Sequence, residues 1–180
     1  MDIGEFLHDL PSVKSKLDDV FARVDWQDYV CVLERIRSRC GDEMLRHLGS
    51  ATMSTTGSFL FRANVLLGYD DAREALIDMC RPNGAFQSIV PCVEITTEVT
   101  GRRQCTLRTW MRKGYSPCWS YHEIAAGAIE QLPELLFERP ASVALRSTAA
   151  GVEYDVLFAR PRLVARLSRR WARSSPNRTY

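Results

Sequence analysis

The sequence predicts an α+β fold in which amino-terminal helices pack on a four-stranded antiparallel sheet. Apolar residues recur at helical spacing through the first half of the chain, and from about residue 86 apolar and polar residues approach alternation. The later part also contains a helical segment between two alternating stretches, which predicts two hairpins with a helix between them. A last helix is expected at the carboxyl end.

The composition is that of one globular domain with a sizeable core: 180 residues, 46% of them hydrophobic and 26% charged. A net charge of +2 does not by itself indicate a nucleic-acid partner. The amino terminus lacks the basic start and apolar run of a signal peptide, and no uncharged stretch reaches the roughly 18 residues of a membrane span. We therefore expect a cytoplasmic protein whose six irregularly spaced cysteines are reduced.

The first half is predicted to be helical. Apolar residues at helical spacing predict a helix over residues 13–24, and Asp25 is placed to cap a second helix that runs from Trp26 to about Arg39. Gly41 is expected to break that helix. Shorter helices are predicted at residues 42–48, 59–67 and 70–80, the last of them stopped by the Pro and Gly of residues 81–84.

The first hairpin is predicted from residues 86–99, where apolar and polar residues approach alternation. If residues 100–102 form a three-residue loop, Ile95 lies opposite Leu107. Cys92 does not face Cys105 in any such register, so no cross-strand disulfide is expected.

The second hairpin is predicted around a two-residue turn at Ala150 and Gly151, which sets Leu145 opposite Val156. A slip of one residue would place Leu145 opposite Asp155. The apolar face therefore favours the unslipped register.

Between the hairpins, Pro117 suits the start of a helix, and Pro133 is expected to kink or restart it. Gly127 lies inside this helix and costs about 1 kcal/mol relative to Ala, which indicates that close packing on the sheet, or a ligand, requires the missing side chain. The apolar stripe consists of Ile124, Ala125, Ala128, Ile129, Leu132 and Leu136.

An aromatic cluster around the start of this helix is the candidate wall of a ligand pocket, because aromatic rings combine large apolar area with few polar atoms. The open alternative is that these rings fill a core that holds no ligand. The full candidate set is Phe59, Phe61, Leu66, Trp110, Met111, Tyr115, Trp119, Tyr121, Ile124 and Gly127.

Cys118 and His122 lie one helical turn apart and suggest either two zinc ligands or a thiol nucleophile with its base. A catalytic site would also need an oriented third group and an oxyanion site, and neither is identifiable in the sequence. We therefore predict no catalytic or metal residue, with Cys118 partly buried and His122 at the surface or at a pocket rim.

The order of these segments resembles the small sensory domains found at the amino termini of bacterial histidine kinases and diguanylate cyclases. The resemblance spans roughly residues 26–158 and rests on Gly114-Tyr115, the helix that ends Leu-Pro-Glu-Leu-Leu and the hairpin that ends Val-Glu-Tyr-Asp-Val. Such domains are similar in turn to haem nitric-oxide/oxygen-binding domains, 4-vinyl reductase domains and TRAPP subunits. The resemblance implies a small or apolar ligand held between helices and sheet, whose occupancy is passed to a partner or output domain.

The chain departs from the haem-binding members of that group. Those members use an axial His on a helix before the sheet and a Tyr-x-Ser-x-Arg motif that clamps the haem propionates. Here no His occurs between His47 and His122, and the loop from Tyr115 has Pro117 and Trp119 where the motif has Ser and Arg. We therefore expect no haem and no other cofactor.

The carboxyl end combines an apolar stripe with many arginines. Leu163, Leu167 and Trp171 are spaced four residues apart. Such a segment favours docking on the domain or on a second copy first, an anionic membrane surface second and nucleic acid third.

Together these features predict a non-enzymatic sensory or regulatory domain over residues 1–159, followed by a basic amphipathic helix and tail over residues 160–180. The expected partners are a small apolar molecule, a second copy in a homodimer, and an output domain or partner protein. Two alternatives stay open: a ligand-free interaction or scaffold module, and a thiol-dependent enzyme that uses Cys118 and His122.

Overall fold

The computed structural model describes residues 24–54, 68–69 and 71–159. The helices predicted at residues 13–24, at 59–67 and after residue 160 lie outside these residues. The helices are α1 (Trp26–Ser54), α2 (Ala72–Met79), α3 (Ala85–Ile89), α4 (Trp119–Gln131) and a 3-10 helix (Leu132–Leu136). The strands are β1 (Val93–Gly101), β2 (Gln104–Met111), β3 (Ser142–Ser147) and β4 (Val152–Leu157). Within the described ranges, no helix has the length and apolar character needed to cross a membrane.

The sheet is antiparallel throughout, with strand order β1-β2-β4-β3. The two hairpins are therefore joined through β2 and β4, and α4 connects them along the chain. The inner face is buried and includes Val93, Leu107, Val143 and Tyr154. The predicted α+β class, with two hairpins around a helix, is confirmed.

Helix α1 begins and bends where the sequence indicates. The Asp25 carboxylate accepts a hydrogen bond from the Gln27 N–H at 2.9 Å, as an N-cap does. Gly41 has φ 80° and ψ 173°, so it interrupts the regular helix, as predicted. The helix resumes beyond this kink and continues to Ser54, longer than the predicted segment at residues 42–48.

The predicted start of the first strand is wrong. Residues 85–89 form helix α3, and β1 begins only at Val93. The chain turns at Asn83, whose φ is 64°, and the Asn83 N–H donates to the Gln87 side chain at 3.0 Å. This local turn favours a helical segment over a short stretch whose apolar pattern fits both periods.

The first hairpin differs in register from the prediction by two residues. Ile95 pairs with Thr109 instead of Leu107. The predicted three-residue loop is a tighter turn in which Gly101 pairs with Gln104, and an irregularity in the ladder lies just before Gly101. A shift of two residues leaves each side chain on its predicted face.

The second hairpin also differs by two residues. Ser147 pairs with Val152, which leaves a four-residue turn in place of the predicted two-residue one. Leu145 consequently pairs with Tyr154 instead of Val156. The apolar face is again preserved, because the shift is an even number of residues.

Helices α1 and α4 cross in direct backbone contact. A Cβ atom added to Gly127 would lie 1.9 Å from the Arg46 carbonyl oxygen, and one added to Gly49 would lie 1.9 Å from the Ile124 carbonyl oxygen. Close packing therefore requires a glycine at position 127. The sequence analysis expected such packing against the sheet, but Gly127 packs against the amino-terminal helix α1. The Arg46 guanidinium holds the crossing with ion pairs to Glu123 at 3.0 Å and Glu130 at 3.2 Å.

We predict that Gly127→Ala lowers the free energy of unfolding by about 2–3 kcal/mol, because the new methyl group forces two packed backbones apart. Thermal denaturation should show a melting temperature roughly 5–10 °C lower. The matched control is Gly68→Ala, where an added Cβ meets nothing within 4 Å. Equal effects of the two substitutions would contradict the close crossing.

Candidate functional site

A pocket of about 830 Å³ lies where four parts of the fold meet. It is bounded by α1, by the end of β2 with the loop that follows, by the first turn of α4, and by the turn between β3 and β4. Because these parts are far apart in sequence, a molecule in this pocket would contact several elements at once.

Four of the predicted ligand-binding residues, Trp110, Met111, Tyr115 and Trp119, line this pocket. Trp110 belongs to the outer-face row of β2, and its indole N–H donates to the Glu94 carboxylate at 2.6 Å. Met111 lies on the inner-face row, Trp119 opens α4, and Tyr115 is exposed in the loop.

The other predicted residues lie elsewhere. Tyr121 is turned into the core, while Ile124 and Gly127 face α1 at the crossing, and these three do not line the pocket. Phe59, Phe61 and Leu66 lie outside the described residues.

The loop between β2 and α4 is anchored to the start of α1 by Trp26. The indole N–H of Trp26 donates to the Ser116 carbonyl at 3.0 Å. Its ring also packs edge-on against Tyr115 and Tyr121, with centroid separations of 6.5 Å and 5.6 Å. These contacts hold the pocket loop against α1.

The α1 wall of the pocket is polar. The Glu34 carboxylate accepts a hydrogen bond from the Ser120 hydroxyl at 2.7 Å, which ties α1 to the first turn of α4. Arg37, one turn further along α1, forms an ion pair with Asp42 at 2.7 Å and lies 3.8 Å from Glu34. Arg37 therefore spans the kink at Gly41 while it lines the pocket.

His122 is a buried polar residue of the pocket wall, as is Thr109. It is 4% exposed, and its Nδ1 is hydrogen-bonded to the Tyr154 hydroxyl at 2.5 Å. Burial lowers the pKa of His122 to about 4, so the ring is neutral at physiological pH. Nε2 has no hydrogen-bond partner among the described residues and is the ring nitrogen left for a ligand.

The sequence analysis missed Glu34 and Arg37 as pocket residues and underestimated the burial of His122. The β3–β4 turn, which supplies Thr148 and Gly151 to the wall, was also missed. No local pattern marks these residues, since only the crossing of α1 over α4 and the fold of the second hairpin bring them to one place.

The geometry does not support a thiol-dependent enzyme. Cys118 is 2% exposed, more buried than expected, and this burial raises the pKa of its thiol. Cys80 is also buried, with a pKa raised to about 12 by desolvation. All six cysteines, each within the described ranges, are free thiols. Nowhere in those ranges do three or more His, Cys, Asp or Glu side chains form a group that could hold a metal ion.

Solved structures of H-NOX proteins share this fold. The unliganded Fe(II) H-NOX protein from K. algicida is 13% identical, with a TM-score of 0.58 over 87% of this chain and 92% of that one. A mutant H-NOX from T. tengcongensis is 16% identical, with a TM-score of 0.54 over 87% and 93%. A structure from a study of haem distortion in the H-NOX family is 15% identical, with a TM-score of 0.56 over 88% and 92%. No family profile matches the sequence, and no curated protein matches it significantly.

The haem nitric-oxide/oxygen-binding domains hold haem with an axial His and a Tyr-x-Ser-x-Arg motif, and the residues of this chain do not fit a haem bound in that way. Helix α2, which precedes the sheet, has the sequence AREALIDM and contains no His. The thiol of Cys80, directly after α2, is held protonated by burial and is a poor iron ligand. The loop presents Pro117 and Trp119, which donate no charge-assisted hydrogen bond to a carboxylate.

We predict that His122 makes the protein less stable in acid. The unfolded chain protonates this ring near pH 6.5 but the folded chain only near pH 4, so stability present at neutral pH is lost as the pH falls through this window. The difference between the two pKa values corresponds to a loss of roughly 3 kcal/mol of unfolding free energy. Urea unfolding from pH 7 to pH 4 should show a steeper loss for the native chain than for His122→Gln, and parallel curves would contradict the assignment.

We predict that iodoacetamide alkylates Cys40 well before Cys118 at neutral pH, because Cys40 is exposed while Cys118 is buried with a raised pKa. Mass spectrometry of tryptic peptides over a time course measures both rates in one sample. A faster reaction at Cys118 would restore the thiol-enzyme hypothesis.

Proposed function

We propose that this chain is a non-enzymatic sensory or regulatory domain that binds a small organic molecule and signals to an output domain or partner, without haem. The observation that carries the proposal is the pocket of about 830 Å³, whose wall includes Trp110, Met111, Tyr115 and Trp119. Its volume is within the range of about 300–1,000 Å³ found for small-molecule sites. The H-NOX-like fold supports a sensory role by analogy of fold.

Chemistry at the pocket wall favours binding over catalysis. A His with a pKa near 4 is a weak general base at neutral pH, and the buried Cys118 is a weak nucleophile. The same groups suit recognition, because a neutral imidazole and a neutral thiol offer polar contacts without the cost of burying a charge.

Signalling is proposed to occur by population shift through α1. This helix supplies Glu34 and Arg37 to the pocket and crosses α4 at Gly49. Because Arg37 is bonded to Asp42 across the Gly41 kink, a ligand that engages Arg37 changes the balance between two arrangements of the helix. Met44 and Leu48 are exposed one turn apart beyond the kink, and they form an apolar surface for a partner protein to bind.

Three further parts of the proposal rest on the sequence. We propose that residues 1–159 form the sensory domain and that the basic segment over residues 160–180 docks on this domain or on a second copy. The protein is proposed to be a cytoplasmic homodimer. A ligand-free interaction module is the second candidate, favoured by the exposed Met44 and Leu48, and it differs by requiring no pocket occupancy.

We predict that Ala149→Trp removes small-molecule binding. Ala149 is exposed in the β3–β4 turn and lines the pocket, so an indole at this position fills the site with little effect on the core. Native mass spectrometry of the purified protein should show a retained molecule that the variant lacks. The matched control is Ala144→Trp, on the exposed outer row of β3, which should retain it. Equal occupancy in both variants would contradict binding at this pocket.

A further inference from the structure

Three cationic side chains line the pocket. Arg37, Arg112 and Lys113 supply three cations, and Glu34 is the single carboxylate among the lining residues, all of which are described. The Glu34 carboxylate already accepts a hydrogen bond from Ser120. Asp42 and Glu94, which lie just outside the lining, offset the charges of Arg37 and Arg112, so the charge that favours an anion over a cation of the same shape is that of Lys113.

The three cations differ in whether a carboxylate is paired with them. Arg37 is paired with Asp42 at 2.7 Å and Arg112 with Glu94 at 3.2 Å. The ammonium of Lys113 has no carboxylate partner in the described part of the chain and is exposed at the mouth of the pocket. Lys113 is therefore the cation that a ligand can engage without first breaking an ion pair.

The inner part of the pocket is lined by rings. The planes of Trp119 and His122 are inclined at 60°, with centroids 6.5 Å apart, and Met111 lies on the adjacent strand. Tyr115, 44% exposed, stands at the mouth. Flat apolar surfaces and a polarisable thioether favour a planar ligand, and the free Nε2 of His122 adds one polar contact at depth.

We propose that the ligand class of this pocket is a planar aromatic anion, such as an aryl carboxylate. Its ring lies against Trp119 and Met111, and its negative group is directed to Lys113, with Arg37 second. This inference rests on the proposed function and deepens it, since it names what the pocket selects. It replaces the apolar ligand expected from the sequence with an amphipathic one.

The experiment titrates the full chain with three probes of one shape: 2-naphthoate, 2-naphthalenemethanol and 2-naphthylmethylamine. Isothermal titration calorimetry at low ionic strength should give 2-naphthoate about fivefold tighter binding than the alcohol, and tighter still than the amine. One exposed ionic contact is worth up to about 1 kcal/mol, which corresponds to this fivefold preference. The preference should shrink in high salt.

Matched variants locate the effect. Lys113→Gln should reduce the preference for 2-naphthoate over the alcohol to about twofold or less, while Arg139→Gln, which removes an equal charge from an exposed position outside the pocket, should leave it unchanged. Ala149→Trp should weaken all three probes. Circular dichroism confirms that each variant is folded.

The outcomes separate the two proposals. Equal binding of all three probes, or a preference for the amine, with a loss in Ala149→Trp, overturns the anion inference and leaves the proposed function standing. An unchanged preference in Lys113→Gln also overturns the inference. No binding of any probe, or binding that Ala149→Trp does not weaken, counts against the proposed function itself.

Discussion

The close crossing of α1 over α4 is the constraint on which the pocket depends. Two glycines allow the helix backbones to touch, since a Cβ at Gly49 or Gly127 would overlap a carbonyl oxygen of the other helix. The crossing is held by Arg46, which bridges Glu123 and Glu130 on α4. The same contact carries Glu34 and Arg37 over the amino-terminal turn of α4, where they form one wall of the pocket. Without the crossing, the aromatic loop would face no opposite wall.

The interior beneath the pocket is polar in composition but neutral in charge. His122 and Tyr154 share a hydrogen bond, and burial shifts each pKa in the direction that keeps the group uncharged. The Tyr121 hydroxyl is buried without a partner among the described residues, a costly state for a polar atom. The charged lining residues, Glu34, Arg37, Arg112 and Lys113, remain near water. A neutral floor below these charged side chains is suited to orienting an amphipathic molecule.

The sequence correctly predicted several residues of the pocket wall, but it did not predict that one side of the pocket is charged. Trp110, Met111, Tyr115 and Trp119 were expected to share a wall, and they line one pocket. The charged side of that pocket was not foreseen, because Arg37 lies in an ordinary amphipathic helix and has no local signal of its role. Tyr121 belongs to the same aromatic run but points into the core. One residue along a helix turns a side chain by about 100°, so membership of a cluster in sequence does not decide orientation.

The sequence alone determined which face of each strand is buried, where α1 is capped and kinked, and that two hairpins flank a helix. These features follow from local periodicity and from backbone preferences that residues such as Asp25 and Gly41 carry with them. Only the tertiary structure decided the hairpin registers, because a shift of two residues preserves every face and the turn geometry then selects among registers. It also decided that Gly127 contacts α1 and not the sheet, and that distant charged residues meet at one pocket. Contacts between elements far apart in sequence depend on how whole surfaces pack, so they cannot be predicted from any short segment of the sequence.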